Sequence, residues 1–344
     1  MGLSAGIEAT RACNFRCVHC FVDAGLRPRG ELDTREMRRL ISGLVEAGAD
    51  TLGWSGGEPL LRRDLDLLTA HATGLGAQVG VPTNGYFATL ARLKSLQRAG
   101  LSSIQVSLDG PDRPRAERFR RGPDDAFERA LRALRDAADL GLAVTVCTLL
   151  SPEAAGEIEE MLALAQTLGA TTLRYTPWSP FGRARGNGYD ERPWASAKMR
   201  RFLEVAESRR ARGPVQVLLD CPIGAVPAHP RFRCAAGRSV LYVCATGEVY
   251  PCTALMSPEH LVGNVRERPL GDLLRDPRMF RIQRQLLREA PAGRCGSCPV
   301  VADCNGGCPG RTLAATGSTR GESPACLFRL HPPAGRRGRR RRIG

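Results

Sequence analysis

Through the first two hundred residues, short apolar runs alternate with stretches in which apolar side chains recur every three or four positions. The runs Ile7–Thr10, Thr51–Trp54, Gln78–Pro82, Ser103–Leu108, Ala143–Leu149 and Thr172–Thr176 have the length and composition of buried strands. Between and after them, helical periodicity covers Thr34–Ala47, Leu65–Leu75, Leu90–Ala99, Ala126–Leu140, Glu157–Leu168 and Ala197–Arg212. Asp33 stands where an N-cap belongs. Gly48, Gly76, Gly100, Gly141 and Gly169 each follow a helix, as a C-terminal stop should. Strand–helix units in succession predict a parallel sheet with right-handed crossovers and functional side chains at the C-terminal strand ends. The periodicity does not separate an open doubly wound sheet from a partial barrel.

After about Pro214 the pattern changes: helical periodicity becomes rare, and cysteine, glycine and proline become frequent. Val240–Cys244 and Glu248–Cys252, joined through Ala245-Thr246-Gly247, read as a β-hairpin. Residues 291–311 read as nearly all loop, a kind of segment that needs a staple. Arg336–Arg342 holds six arginines in seven residues and reads as a disordered basic tail. No internal repeat is visible.

The chain of 344 residues is 42% hydrophobic and 25% charged, ordinary for a large domain with a smaller one. It has no apolar run of about 18 residues, and its start lacks the basic and apolar regions of a signal peptide, so a cytoplasmic protein is expected. The 13 cysteines change the picture. In a reducing compartment an odd number in tight clusters points to metal ligation rather than disulfides. The formal charge is +15, and Lys94 and Lys198 are the only lysines among 50 basic residues, a bias that makes charge alone a weak signal. The surplus favours an acidic substrate or an acidic electron-donor protein.

Cys13-Asn14-Phe15-Arg16-Cys17-Val18-His19-Cys20 follows the first strand with C-x3-C-x2-C spacing. Three thiolates in so short a loop suit a four-iron cube with one iron left open for a ligand. A zinc site would use a fourth protein ligand, with His19 the local candidate, although it stands too close to Cys20 to reach comfortably. Ser55-Gly56-Gly57-Glu58-Pro59 follows the second strand, Thr83-Asn84-Gly85 the third, and Ser107-Leu108-Asp109-Gly110 the fourth. Each of the latter two also reads as a simple turn. Taken together, these segments resemble the radical S-adenosylmethionine (SAM) enzymes, over about residues 5–215. His19 takes the place usually held by an aromatic residue. The resemblance implies a partial (β/α)6 barrel. It implies a catalytic [4Fe–4S] cluster on Cys13, Cys17 and Cys20, and SAM contacts from Gly56, Gly57, Glu58, Asn84, Ser107 and Asp109, with Glu58 receiving the methionine ammonium.

Downstream, Cys234 is followed by Gly247 and Cys252 in a G-x4-C element, then by Cys295-x2-Cys298-x5-Cys304-x3-Cys308 and Cys326. This order resembles the SPASM domain, over roughly residues 221–330. The implied division is a barrel at 1–215, a small cysteine-rich, loop-rich SPASM domain with a β-hairpin at 216–330, and a tail at 331–344. The resemblance implies two auxiliary [4Fe–4S] clusters, one on Cys295, Cys298, Cys304 and Cys326, the other on Cys234, Cys252 and Cys308. The fourth ligand of the second is Cys221 by preference, Cys244, or an open position. Read without the barrel, the same C-x2-C pairs would suit two structural zinc sites. Cys147, in an apolar strand, reads as core; Cys147 or Cys244 as hydrogen-atom donor to a substrate radical is the alternative.

The implied chemistry is reductive cleavage of SAM to a deoxyadenosyl radical, which abstracts hydrogen from a substrate carbon, with a flavodoxin- or ferredoxin-type protein as electron donor. Maturation of a ribosomally made peptide is the leading reading. The competing one is oxidation, epimerisation or decarboxylation of a small sugar, aminocyclitol or nucleoside metabolite. Thr253 stands where sulfatase-maturing relatives place aspartate. Only twelve residues precede Cys13, so a peptide substrate is expected to need a separate recognition protein or none. Tyr175, Trp178, Arg183, Arg185, Glu191 and Arg192, on or after the sixth strand, are candidate substrate contacts, with Tyr175 and Trp178 reading equally as core. A zinc protein binding nucleic acid through its arginine tail is the remote alternative.

Overall fold

The computed structural model describes residues 2–185, 197–209, 213–219, 234–324 and 326. Cys221, Glu191, Arg192, residues 210–212 and Arg336–Arg342 lie outside the described residues. One sheet organises the rest. Strands β1 (Leu3–Thr10), β2 (Ala49–Gly56), β3 (Gln78–Thr83), β4 (Ser103–Ser107), β5 (Ala143–Leu150) and β6 (Thr172–Pro177) pair in parallel in sequence order. Helices α1 (Thr34–Glu46), α2 (Leu65–Gly74), α3 (Leu90–Arg98), α4 (Arg113–Ala116), α5 (Ala126–Asp139), α6 (Ile158–Thr167) and α7 (Ala197–Arg209) run between and after the strands. The apolar stripes of α1 and α5, including Met37, Leu40, Ile41, Leu44, Ala133 and Leu134, are buried in the core with Ile7, Leu52, Val79, Ile104 and Val146 of the strands. Burial of such stripes, more than helix propensity, holds short helices in place.

Local signals set the helix ends. Asp33 accepts from the Glu36 amide at 2.8 Å while the Glu36 carboxylate accepts from the Asp33 amide at 2.8 Å, a reciprocal capping box. Gly48 follows with φ of +94°, as its place after α1 requires.

Four features depart from the pattern reading. β1 begins at Leu3 rather than Ile7, because the earlier residues pair with β2. A seventh parallel strand, β7 (Gln216–Leu219), extends the sheet beyond β6; only four residues long, it gives little periodic signal. The hairpin strands β8 (Val240–Val243) and β9 (Glu248–Tyr250) do not form a separate sheet. β8 pairs in parallel with β1, and β10 (Gly263–Asn264) closes the order β10-β9-β8-β1-β2-β3-β4-β5-β6-β7. The order is linear, so among the described residues the sheet remains open. The cysteine-rich part also holds more helix than its composition implies: α8 (Leu270–Arg275), α9 (Arg281–Arg288), α10 (Val301–Cys304) and α11 (Pro309–Thr316). α11 has proline at its first position and ends at Gly317 with φ of +75°.

A buried carboxylate ties the hairpin to the barrel. Glu8 on β1 is fully buried. It accepts from the Arg11 guanidinium at 2.8 Å, from the Tyr242 hydroxyl at 3.1 Å and from the Ala245 amide at 3.0 Å. Tyr242, on β8, also meets the Ser55 hydroxyl at 3.1 Å, so one phenol joins three strands. Tyr242→Phe removes one donor from this carboxylate and is expected to lower stability by about 1–2 kcal/mol. Chemical denaturation of the reconstituted protein checks this; an unchanged midpoint would show that the hydroxyl contributes nothing to the joint.

Candidate active site at the C-terminal strand ends

The loops after β1, β2, β3, β4 and β6 converge on one cavity of about 250 Å³. Cys13, Cys17 and Cys20 line it, together with Gly56, Gly57, Asn84 and Ser107. The two glycines are required by packing. A Cβ on Gly56, whose φ is +119°, would stand 2.1 Å from the Thr10 carbonyl oxygen, and one on Gly57 would stand 2.2 Å from that of Ala12. The loop after β2 therefore lies directly on the cysteine loop, with the Gly57 amide donating to Thr10 and the Glu58 amide to Ala12, both at 2.8 Å. The resemblance gave these glycines as SAM contacts; the first thing they approach is the cysteine loop's own backbone.

Glu58 is fully buried and does not line the cavity. Its carboxylate accepts from the Leu60 amide at 3.0 Å, the Thr83 hydroxyl at 2.7 Å and the Asn84 amide at 2.8 Å. Burial pushes its pKa up, against these hydrogen bonds, which pull it down. An ionised carboxylate offers about four acceptor positions, so three are taken by the protein. Asn84 links on to the cysteine loop, its amide nitrogen donating to the Asn14 side-chain oxygen at 2.9 Å.

Asp109 corrects the pocket-lining expectation in the same way. It is fully buried, outside the cavity lining, and accepts from the Leu149 amide at 2.7 Å. Arg120 Nε lies 2.7 Å from its Oδ2. His19 Nε2 is 3.6 Å from the same oxygen, and its ring packs near Phe119 and Trp178. Burial drives the His19 pKa down to about 4 despite Asp109, so the imidazole is neutral at neutral pH.

Several contributors escaped the sequence reading. Thr83 could have been found from its place at the end of β3; Arg120, in a loop with no periodic signal, could not. Arg183 reaches from the loop after β6 to the cysteine loop. Its Nε donates to the Cys17 carbonyl at 3.0 Å, and its Nη1 donates to Ala24 at 2.6 Å and Asp23 at 2.7 Å. It braces the cysteine loop and also lines the cavity. Tyr175 is fully buried against Phe202 and belongs to the core. Trp178 is partly buried beside His19, and Arg185 is exposed.

The cysteine loop fits an iron–sulfur cluster by its donor set. Backbone amides of Phe15 and Ala24 donate to the Cys13 and Cys20 sulfurs at 3.4 and 3.2 Å, the kind of contact that stabilises ligating thiolates. Burial raises the Cys13 thiol to about 11 and pushes Cys17 up as well, so a bound cation is needed to keep these groups deprotonated. Among the described residues no three metal-ligating side chains converge on a single ion; a cube separates its ligands by its own width.

The C-terminal cysteines fall into sets by the charges they feel. Burial pushes Cys234 up to about 12, with Cys308 and Cys252 among the groups acting on it. Burial pushes Cys304 to about 11, with Cys326 and Cys295 acting on it. The Cys298 amide donates to the Cys295 carbonyl at 3.3 Å, closing a turn within the C-x2-C pair. The Ser323 amide donates to the Cys295 sulfur at 3.4 Å. Cys244 stands apart, 3.9 Å from the Met256 sulfur and under the influence of Glu8 and Arg11. Cys147 is buried on β5 with its sulfur 3.6 Å from the Thr176 hydroxyl, and Thr176 lines the cavity.

With this geometry in place, the likenesses to known proteins are specific. Residues 7–165 match the radical SAM superfamily and residues 234–299 match an iron-sulfur cluster-binding domain, SPASM. The chain is 30% identical to an AdoMet-dependent heme synthase of Methanosarcina barkeri, covering 94% of this chain and 95% of that one. It is also 30% identical to the mycofactocin maturase MftC of Mycobacterium tuberculosis, covering 97% and 86%. Its fold is similar to Streptococcus suis SuiB bound to precursor peptide SuiA, with a TM-score of 0.73 at 18% identity over 95% of this chain and 76% of that one. It is likewise similar to anSMEcpe with bound AdoMet, with a TM-score of 0.77 at 16% identity over 96% of both. Three cysteines on the loop after β1, facing a glycine pair after β2, belong to a chain with relatives of this kind along nearly its whole length: the protein is a member of the radical SAM superfamily with a C-terminal SPASM domain, an enzyme of [4Fe–4S] clusters and S-adenosylmethionine.

Proposed function

We propose that the protein abstracts a hydrogen atom from a ribosomally made peptide during its maturation, using the cavity after β1 and β2 as the reaction site. The observation that carries this reading is the convergence of Cys13, Cys17 and Cys20 with Gly56, Gly57, Asn84 and Ser107 around one cavity. A relative named as a PqqA peptide cyclase is 30% identical over 94% of this chain, beside mycofactocin maturases 30% identical over 97%. The equally similar heme synthases favour a second reading, a small-molecule substrate in the same cavity.

In this assignment Cys13, Cys17 and Cys20 hold the catalytic cluster, and the cluster with SAM supplies the deoxyadenosyl radical when both are bound. Gly56, Gly57, Asn84 and Ser107 offer backbone and side-chain polar groups to SAM. Glu58, buried behind the cavity, holds the loops after β2 and β3 together and so positions Gly57 and Asn84 for SAM. Asp109 orients Arg120 and His19 at the cavity wall. Cys295, Cys298, Cys304 and Cys326 hold one auxiliary cluster, and Cys234, Cys252 and Cys308 the other, with Cys221 as its added ligand. The barrel then spans 1–215 and the SPASM domain 216–330. A flavodoxin- or ferredoxin-type donor, a separate peptide-recognition protein and a cytoplasmic location complete the proposal. Among the described residues no helix is long and apolar enough to cross a membrane.

Anaerobic reconstitution tests the cluster assignment. The full protein is expected to hold about twelve irons and to release deoxyadenosine with SAM and dithionite. Cys13→Ala, Cys17→Ala or Cys20→Ala should each keep about eight irons and release none. Stoichiometric zinc with no deoxyadenosine would remove the enzymatic reading. Incubation with a precursor peptide encoded beside the gene, read by a mass change, decides between peptide and small molecule.

Glu58→Gln places an amide N–H against donors that the carboxylate now accepts. It is expected to lower stability by about 1–3 kcal/mol, and SAM affinity by about tenfold, as the loss of a group that orients ligating residues does. Denaturation and SAM titration check the two effects, with Thr83→Val as a milder removal of one donor. Unchanged SAM binding in both variants would show that the cavity does not depend on this carboxylate.

A further inference from the structure

Arg311, in the first turn of α11 and three residues beyond Cys308, is only 3% exposed. Its Nη2 donates to the Trp178 carbonyl at 3.3 Å, whereas its Nε, sealed from solvent, has no partner. Among the described residues it makes no ion pair. Other buried or nearly buried arginines are provided for. Arg62 meets Asp64 and the carbonyls of Ala9 and Leu32. Arg320 meets the Glu289 and Asn305 carbonyls and the Asn305 side chain. Arg120 faces Asp109. A buried guanidinium with an N–H left unpaired is costly, so a fold that keeps one has a ligand in reserve for it.

Its location says which ligand. Trp178 directly follows β6, and its chain neighbours Pro177 and Ser179 line the cysteine cavity. Arg311 therefore meets the barrel beside the wall of that cavity, although neither it nor Trp178 lines the cavity itself. Two further buried atoms on the same wall lack partners: Trp178 Nε1, a donor, and His19 Nδ1, on rings whose centroids are 6.2 Å apart. The hydrogen bond of Arg311 runs to the barrel, and the basic group acting on Cys234 is Arg238. Arg183, an arginine after β6 that lines the cavity, is engaged with the cysteine loop.

We propose that Arg311 binds a carboxylate of the substrate beside the wall of the cavity. The planar edge formed by Nε and one Nη matches a carboxylate in two parallel hydrogen bonds, and a single guanidinium balances a single negative charge. The inference rests on the cavity being the reaction site, and it holds for the carboxylate of a peptide as for that of a small acid.

The test uses the full chain reconstituted with iron and sulfide. Sodium acetate is titrated at matched ionic strength against acetamide, read by tryptophan fluorescence and thermal midpoint. A saturable response to acetate but not to acetamide is expected, weakened about tenfold or more in Arg311→Gln and less in Arg311→Lys. Competition by Ac-Ala-Ala with a free C-terminus, or by Ac-Ala-Asp amide, then assigns the carboxylate to a chain end or to a side chain; competition by neither assigns it to a small acid. No acetate response, or one unchanged in Arg311→Gln, overturns the proposal. So does loss of auxiliary iron or a shifted auxiliary-cluster potential in Arg311→Gln, which would make the cluster the anion that Arg311 serves. Deoxyadenosine release by the wild type is measured alongside: its absence would overturn the enzymatic reading and leave the acetate result standing.

Discussion

The shape of the site depends on one buried carboxylate. Glu58 accepts from the loop after β2 through Leu60 and from the loop after β3 through Thr83 and Asn84. Its own amide and that of Gly57 donate to the cysteine loop. Three strand ends are thus joined by hydrogen bonds centred on a group that burial alone would neutralise. The side chain most readily read as a ligand contact is also the one that makes the cavity. In a sheet whose functional loops have little regular structure, such a group replaces the backbone ladder that the loops lack.

The second constraint joins the cysteine-rich part to the barrel. β8 continues the sheet beyond β1, and Glu8, Tyr242 and Ser55 tie that junction from within. Glu8 lies on the strand that leads into the cysteine loop, and Ser55 on the strand that leads into the glycine pair. The hairpin is therefore anchored to the same two strands that position the cavity. Arg311 adds a tie at the far side of the cavity, from α11 to the loop after β6.

The alternation of strands and helices in the first two hundred residues was legible because each buries a regular stripe, and the capping box at Asp33 and Glu36 marks its helix in plain sequence. The cysteine loop was legible because three thiols in eight residues have few other uses. What was hidden depends on pairing between distant residues. β7 is too short to show a period, and nothing within Val240–Val243 says that β8 will lie beside β1 rather than form a sheet with β9 alone. Asp109 was read as a ligand contact because its segment after the fourth strand resembles one that contacts SAM in the family. Its engagement with Arg120 and Leu149 is a tertiary fact that no local pattern encodes.

The arginine surplus takes on a different meaning once the contacts are known. Read as composition, it is a coding bias or a nonspecific affinity for anions. In the fold, many of these side chains cap backbone carbonyls of loops: Arg62 those of Ala9 and Leu32, Arg183 those of Cys17 and Ala24, Arg266 that of Gly30, Arg320 those of Glu289 and Asn305. A guanidinium can serve several acceptors at once along a fixed fork, which a lysine ammonium on a flexible stem does less well. Loops that cradle clusters and substrate expose carbonyls that no helix or strand satisfies, and arginine is suited to splint them. The charge of these residues is then largely a consequence of their geometry. Against that background Arg311 differs in kind: it splints one carbonyl and holds the rest of its fork in reserve.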